Sequence, residues 1–280
     1  MSRYIYAAKI NINQNIFYSN FDSLIPLIGE AILNYKDKIY ETKTLKWTFV
    51  DVKKIQLDSE EYITGKLCKI RKKVVEKKYD DDMHDTYWED ETNKAYENIF
   101  LYDQKSEIIV FEDTYEIDKK TFMEKFERLC YLINPTIGEI KIKLYPKSAD
   151  IDKILAEINK IYYAKFNIIP ANYTSKNGFK KLDEALKEEK ISEINVTLKN
   201  KEGEISKEED TVFSQCVNMV KNAYGTFVIN VKNINEKVIK RIDSECTIYK
   251  KSIKSDSSIQ IYIKKFKELI DIIKRENHLN

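Results

Sequence analysis

The sequence predicts an α+β protein with two domains, and three observations support this prediction. The chain has 280 residues, which exceeds the ~100–200 residues usual for one domain. Some segments alternate apolar and polar residues, as strands do, whereas others place apolar residues three and four apart, as helices do. The segment NPTIG at 134–138 interrupts both patterns, because a residue before Pro disfavours helix. We therefore predict a β-rich α+β domain at 1–135 and, at 136–280, an α/β sandwich with helices on one sheet face.

The first half contains strands and two helices. Residues 4–13 carry apolar side chains at every second position, which predicts a strand. Residues 21–33 form one apolar helical stripe, and Pro26 lies in the first turn, where its missing N–H is harmless. A second helix is predicted from Asp118, a suitable N-cap, to residue 133. Further strands are predicted at 45–57, 61–70, 98–103 and 107–115, the last two as a hairpin.

The second half alternates strands with helices, which is the pattern of a sheet covered on one face. A final helix begins near Ser257 and carries one apolar stripe, with its lysines outside that stripe. The stripe either packs on the protein's own sheet or forms a homodimer contact. Strands are predicted at 139–146, 163–170, 192–200 and 226–233, and helices at 149–161, 177–190 and 206–225.

The overall composition predicts a folded protein of the cytoplasm. Apolar residues make up 42% of the chain and charged residues 34%, and the net charge of +2 indicates neither a strongly basic protein nor a whole-protein mimic of DNA. No segment approaches the roughly 18 consecutive apolar residues of a membrane span. The four cysteines have no CxxC spacing, which is typical of free thiols in a reducing compartment: Cys68, Cys130, Cys216 and Cys246.

The scarcity of histidine argues against several enzyme classes. Only His84 and His278 are present, so the sequence supports neither a catalytic triad nor a zinc site with several histidine ligands. No glycine-rich nucleotide-binding motif occurs. A magnesium-dependent nuclease stays an alternative, since carboxylates and a lysine suffice for that chemistry, and Glu139 and Lys141 supply such a pair. We nominate no catalytic residue, no metal ligand and no cofactor.

Two adjoining segments segregate charge. The cations Lys66 to Lys78 precede the acidic run DDDMHDTYWEDE at 80–91, and we expect the two runs to form oppositely charged arms of one hairpin or its loop. The cations either contact nucleic-acid phosphates or belong to a solvated β-ribbon whose valines turn inward. The acidic run lacks the ligand spacing and the glycine of a calcium loop, so it is either solvated or shields the cations. The predicted phosphate contacts are Lys66, Lys69, Arg71, Lys72, Lys73, Lys77 and Lys78.

Several phrases of the sequence carry a family resemblance. They include ITGKL at 63–67, IKLYPKSADIDKILAEINKI at 142–161 and AYG at 223–225. With the order of elements around them, the chain resembles uncharacterised proteins of bacterial phage-defence loci. Its layout is similar to that of the DNA-binding subunit of the Kiwa system and of Rex-type phage-exclusion proteins. The resemblance implies a cytoplasmic, dimeric defence component that binds or senses nucleic acid, and it assigns no site residue.

The sequence therefore predicts a non-enzymatic protein of phage defence or phage–host conflict that binds DNA or RNA through the cations of 66–78. The alternative from another class is a protein-interaction module that recognises a phage or host protein through the acidic run or the last helix. The magnesium-dependent nuclease is the third hypothesis.

Overall fold

Two antiparallel β-sheets and six α-helices form the part of the chain that the computed structural model describes, namely residues 2–13, 15–17, 23–172, 177–234, 238–254 and 257–277. The predicted α+β class is confirmed. The strands are β1 (Ser2–Ile12), β2 (Tyr40–Glu41), β3 (Leu45–Leu57), β4 (Glu60–Asp80), β5 (Asp85–Asp103), β6 (Ile108–Asp113), β7 (Ile140–Leu144), β8 (Ile158–Ile168), β9 (Ile194–Lys199), β10 (Gly225–Asn233), β11 (Lys240–Asp243) and β12 (Lys250–Lys254). The helices are α1 (Ile25–Leu33), α2 (Lys119–Ile133), α3 (Ser148–Glu157), α4 (Lys180–Glu188), α5 (Val212–Lys221) and α6 (Ile259–Glu276).

The first sheet has the strand order β12-β1-β6-β5-β4-β3-β2, and β7 also pairs with β1. Strands β12 and β7 follow one another along the same edge of β1, because β12 pairs with its first half and β7 with its second half. Helices α1 and α2 cover one face of this sheet, and α6 covers the other. The apolar stripe of α6 is therefore buried in the protein's own core.

Helix α2 forms as its sequence predicts. The Asp118 carboxylate accepts the backbone N–H of Thr121 at 2.7 Å and so satisfies one of the free donors of the first turn. Phe122 and Phe126 lie on the face that is buried against the sheet. The ring of Phe122 stacks on that of Phe111 in β6, with a centroid distance of 4.1 Å. This aromatic contact fixes α2 across the centre of the first sheet.

The second sheet has the strand order β11-β10-β8-β9. Its strands alternate between two faces, apart from two register shifts between β8 and β10, and Phe166 and Phe227, for example, point into a core shared with the helices α3, α4 and α5. The residues between them point to the opposite face, which the described helices leave open. Helices on one sheet face are the arrangement that the sequence predicts for the second half.

A buried polar cluster joins the two sheets. Lys9 in β1 donates a hydrogen bond to the Tyr224 hydroxyl at 2.7 Å, and its ammonium lies 3.7 Å from the Glu107 carboxylate. Asn172 donates to the other oxygen of Glu107 at 2.7 Å. Burial raises the pKa of Glu107 to about 7, although Lys9 and Asn172 act in the opposite direction. Charged and amide groups thus connect elements from both halves of the chain.

Three later elements return to the first sheet. Strand β7, strand β12 and helix α6 all follow residue 135 in the chain, yet they pair or pack with the first sheet. The division into domains at residues 135 and 136 stays a prediction, and it does not coincide with the division between the two sheets. None of the helices in the described ranges is long and apolar enough to cross a membrane.

Candidate nucleic-acid interface

Lys66 and Lys72, two of the predicted phosphate contacts, form ion pairs with acidic side chains. The Lys66 ammonium lies 2.8 Å from a carboxylate oxygen of Asp51 and 2.8 Å from one of Glu97. The hydrogen bond from Lys66 lowers the pKa of Asp51. Lys72 forms a similar pair with Glu41, at 2.5 Å. Acidic side chains of neighbouring strands therefore already neutralise these two cations.

Lys69 and Arg71 share one carboxylate. Their side-chain nitrogens lie 3.1 and 2.8 Å from the same oxygen of Glu116, and Lys69 also donates to the Glu116 carbonyl at 2.8 Å. Both cations lie over the ring of Tyr96, at 5.8 and 5.3 Å from its centroid. The structure thus brings Lys69 and Arg71 together in a bound arrangement on the α2 side of the first sheet.

The remaining predicted cations lie on a projecting β-ribbon, formed by residues 73–80 of β4 and 85–92 of β5. We call this segment the ribbon. It confirms that the two charged runs are arms of one hairpin. Lys77 stands opposite Trp88 and its ammonium lies 5.9 Å from that ring, while Lys78 forms an ion pair with Glu89. Lys73 is exposed on the same strand.

The tip of the ribbon carries exposed apolar side chains. Met83 is 77% exposed and Trp88 68%, and Val75 is exposed as well, so the valines do not both turn inward. Tyr79 and His84 are hydrogen-bonded at 3.0 Å, and His84 has a positive φ of 50° in the turn. The second histidine, His278, lies outside the described residues. The acidic run thus comprises the last residue of β4, the turn at 81–84 and the first part of β5.

A second surface, which the sequence reasoning did not nominate, is the open face of the second sheet. The strand register aligns Lys199, Tyr163, Asn230 and Arg241 in one row across all four strands. Neighbouring strands are ~4.8 Å apart, so this row spans roughly 14 Å. A depression of 490 Å³ lies on this face. We call the following set the open face: Tyr163, Lys165, Asn167, Asn195, Thr197, Lys199, Thr226, Val228, Asn230, Lys232, Arg241 and Asp243.

The cations of the open face differ from those of the first sheet in their partners. Among the described residues, no carboxylate oxygen lies within ion-pair distance of Lys165, Lys199, Lys232 or Arg241. Glu193 lies at the edge of the face, where it accepts a hydrogen bond from Asn167. Four cations of one sheet face thus remain available to an anion.

In the sequence, the only sign of the open face is the alternation of polar and apolar residues along each strand. In β9 the polar residues Asn195, Thr197 and Lys199 alternate with apolar ones, as is normal for any half-buried strand. That pattern identifies the exposed side of each strand separately. The order of the strands, which the sequence does not give, is what places these side chains on one surface.

A cleft of 290 Å³ lies between β2, α2 and β7. The Arg128 guanidinium lies 5.6 Å from the ring centroid of Tyr40 and 5.8 Å from that of Tyr131. Glu127 also lines the cleft, and its carboxylate accepts the backbone N–H of Ile142 at 2.6 Å, at the free edge of β7. Burial raises the pKa of Glu127 to about 7 against the effect of that hydrogen bond.

The acid–lysine pair that the sequence offers for the nuclease alternative lines this same cleft. Glu139 immediately precedes β7 and Lys141 lies within it, and their charged groups are 3.9 Å apart. Within the described ranges, no group of three His, Cys, Asp or Glu side chains is placed to hold a metal ion. The nuclease hypothesis stays a prediction.

Comparison with protein families gives one match. The model of a domain of unknown function, DUF4747, matches residues 3–271. The chain belongs to the DUF4747 family. This DUF4747 match covers both sheets, the open face and the cleft. A comparison with curated proteins gives no match.

Proposed function

We propose that the protein binds nucleic acid through the open face of its second sheet. The observation that supports this proposal is the set of four cations that have no described carboxylate partner, beside the amides of Asn167, Asn195 and Asn230. Lysine and arginine side chains bind phosphates, and amides and hydroxyls donate to phosphate and sugar oxygens. A four-stranded sheet with one exposed face is also a form in which proteins present side chains to unpaired bases.

Electrostatics favours the open face over the cations of 66–72. Binding to phosphates is driven by the release of counterions, and a cation that already has a carboxylate partner must lose that partner first. Lys69 and Arg71, for example, hold Glu116 between them. Among the described residues, the cations of the open face have no carboxylate partner to lose, so we expect them to contribute more to phosphate binding than the cations of 66–72.

The proposal is tested by binding of fluorescent DNA and RNA oligonucleotides at low salt. The open-face variant carries Lys165→Gln, Lys199→Gln and Arg241→Gln, and a matched ribbon-base variant carries Lys69→Gln, Arg71→Gln and Lys72→Gln. Both lose three positive charges. We expect at least a tenfold loss of affinity for the open-face variant and a much smaller loss for its control. A loss of affinity in the ribbon-base variant alone would place the phosphate contacts on the first sheet and overturn the proposal.

A second candidate function is recognition of a phage or host protein through the ribbon. The observation that favours it is the exposure of Trp88, Met83 and Tyr79 together at one tip. Aromatic residues and methionine are enriched at the centres of protein interfaces. Cross-linking in infected cells, with Trp88→Ala and Met83→Ala as the comparison, tests this function. A defined partner that is lost with both variants supports it, and unchanged cross-links contradict it.

We also propose a role in phage defence within the cytoplasm, and a homodimeric state, on the resemblance given above. Plaque counts on cells that express the wild type or the open-face variant test the role in defence. Sedimentation velocity tests the dimer, since a species of 33.2 kDa would be a monomer. Ile259 and Ile261 are exposed apolar residues of α6 that such a contact could bury.

A further inference from the structure

The cleft beside α2 and the open face are connected through β7. Lys141 lines the cleft, and Lys143, two residues further along the strand, donates to Oδ1 of Asn167 on the open face at 2.8 Å. Alternate residues of a strand share a side and are separated by ~6.6 Å. A nucleic-acid strand that lies on the open face therefore meets Lys143 at the edge of that face and, two residues away on β7, Lys141 in the cleft.

The cleft has the shape and the aromatic surface to hold one planar ring. Its 290 Å³ lies just below the ~300–1,000 Å³ of sites for drug-sized ligands. Tyr40 and Tyr131 provide ring faces, and the Arg128 guanidinium beside them provides a flat cation. Aromatic rings and arginine planes are the groups on which proteins stack unpaired bases.

The cleft also holds a group that can recognise the edge of a base. The Glu127 carboxylate lies at the wall of the cleft, held by the N–H of Ile142. A carboxylate accepts hydrogen bonds from the exocyclic amine and ring N–H of a base, and a protonated carboxyl can donate one as well. Lys141 precedes Ile142 on β7, and a phosphate attached to the base would compete there with the Glu139 carboxylate, which lies 3.9 Å from the Lys141 ammonium.

We propose that this cleft binds one unstacked nucleobase of a single-stranded nucleic acid whose backbone lies on the open face. The inference rests on the proposed function, and it adds that the ligand is a single strand. A duplex would not suit the cleft, because its bases are stacked and their edges are already paired. Contacts between the cleft and the bound base make the affinity depend on the identity of that base, whereas the open face supplies affinity that is independent of sequence.

The test is fluorescence anisotropy with labelled single-stranded DNA and RNA and with a duplex of the same sequence. Tyr131→Ala and Arg128→Ala remove the stacking surface, and Leu132→Ala is the matched control, because Leu132 is a neighbouring α2 residue of similar exposure (39% against 37% for Tyr131). We expect about a tenfold loss of single-strand affinity for Tyr131→Ala and Arg128→Ala, no change for Leu132→Ala and no change in the weaker binding of the duplex.

A second readout concerns Glu127. We expect Glu127→Gln to change the preference among homopolymeric single strands at least fivefold, while it leaves the salt dependence of binding unchanged. Single-strand binding that is lost in the open-face variant but unchanged in the Tyr131, Arg128 and Glu127 variants would overturn the cleft proposal alone. Absence of all nucleic-acid binding would overturn the cleft proposal together with the proposed function.

Discussion

Lys143 on β7 donates a hydrogen bond to Asn167 on β8 at 2.8 Å, and this contact joins the edge of the first sheet to the open face of the second. Burial lowers the pKa of Lys143, because the charged form loses solvation there. A partly buried cation with an amide acceptor is a contact that depends on the relative position of the two sheets. Its strength is therefore a measure of how firmly the open face and the cleft are held together.

A double-mutant cycle on this contact should give a measurable coupling. We expect Lys143→Met and Asn167→Ala to interact by about 1.5 kcal/mol in the free energy of unfolding, because a hydrogen bond from a charged donor contributes roughly 1.5–3 kcal/mol. Urea unfolding of the two single variants and the double variant measures this. Additive effects of the two substitutions would show that the contact does not hold the sheets together.

Like Glu127 in the cleft, Glu107 should make the protein less stable as the pH rises towards 8. Its folded-state pKa is raised from 4.5 to about 7 by burial. A carboxyl group whose pKa is raised by folding stabilises the folded state fully at pH values below its unfolded-state pKa. This stabilisation is lost as the pH rises through the folded-state pKa. The loss amounts to about 3 kcal/mol at most. Glu107→Gln should remove about half of this slope in urea unfolding between pH 5 and pH 8, because burial also raises the pKa of Glu127 to about 7, whereas the exposed substitution Glu189→Gln should leave the slope unchanged.

The aromatic contact between α2 and the first sheet should be a principal source of stability. Phe122 is fully buried and stacked on Phe111. We expect Phe122→Ala to lower the free energy of unfolding by about 3–5 kcal/mol, because it removes buried surface and leaves a cavity. Phe122→Leu, which keeps most of the volume, should cost clearly less. Equal effects of both substitutions in urea unfolding would mean that ring stacking and volume do not matter at this site.

Removal of the ribbon should leave both the fold and the open face intact. Replacement of residues 75–90 by Asn-Gly keeps Val74 opposite Glu91 and closes the hairpin with a favoured two-residue turn. We expect a change in unfolding free energy below about 1 kcal/mol, since surface changes away from packed groups have small effects. Nucleic-acid affinity should change less than threefold.

The alternative, in which the acidic run shields the cations, makes the opposite prediction for the same variant. Shielding requires that deletion of the acids strengthens binding. The carboxylates that hold Lys66, Lys69 and Lys72 belong to Asp51, Glu97, Glu116 and Glu41, all outside 80–91. A gain in affinity of more than threefold on deletion would favour shielding after all.

Local patterns were sufficient for most of the regular elements. The strand at 4–13 and the helix from the Asp118 cap lie within one or two residues of β1 and α2, because side-chain alternation and a cap act within a few residues. Residues 71–97 were not predicted as strand from an apolar period, and only the expected hairpin of the two charged runs indicated extended arms there. They are too charged to show an apolar period, and their strand form comes from pairing between the two arms.

The candidate site depended on contacts between distant segments. The row from Lys199 to Arg241 exists because β8 and β10 lie between β9 and β11, an order that no local pattern specifies. The cleft likewise unites Tyr40, Glu127 and Lys141 from three separate elements. The sequence revealed the excess of cations at 66–78 but not their partners, since Glu41 and Glu116 are far from them in the chain.

The salt dependence of nucleic-acid binding tests the central claim most directly. Each phosphate contact adds about 0.7–0.9 to the slope of log affinity against log salt concentration. We predict that the open-face variant, with Lys165, Lys199 and Arg241 replaced by Gln, has a slope lower by about two to three than the wild type, and that the ribbon-base variant differs by less than about one. Equal slopes for the wild type and the open-face variant would contradict the account.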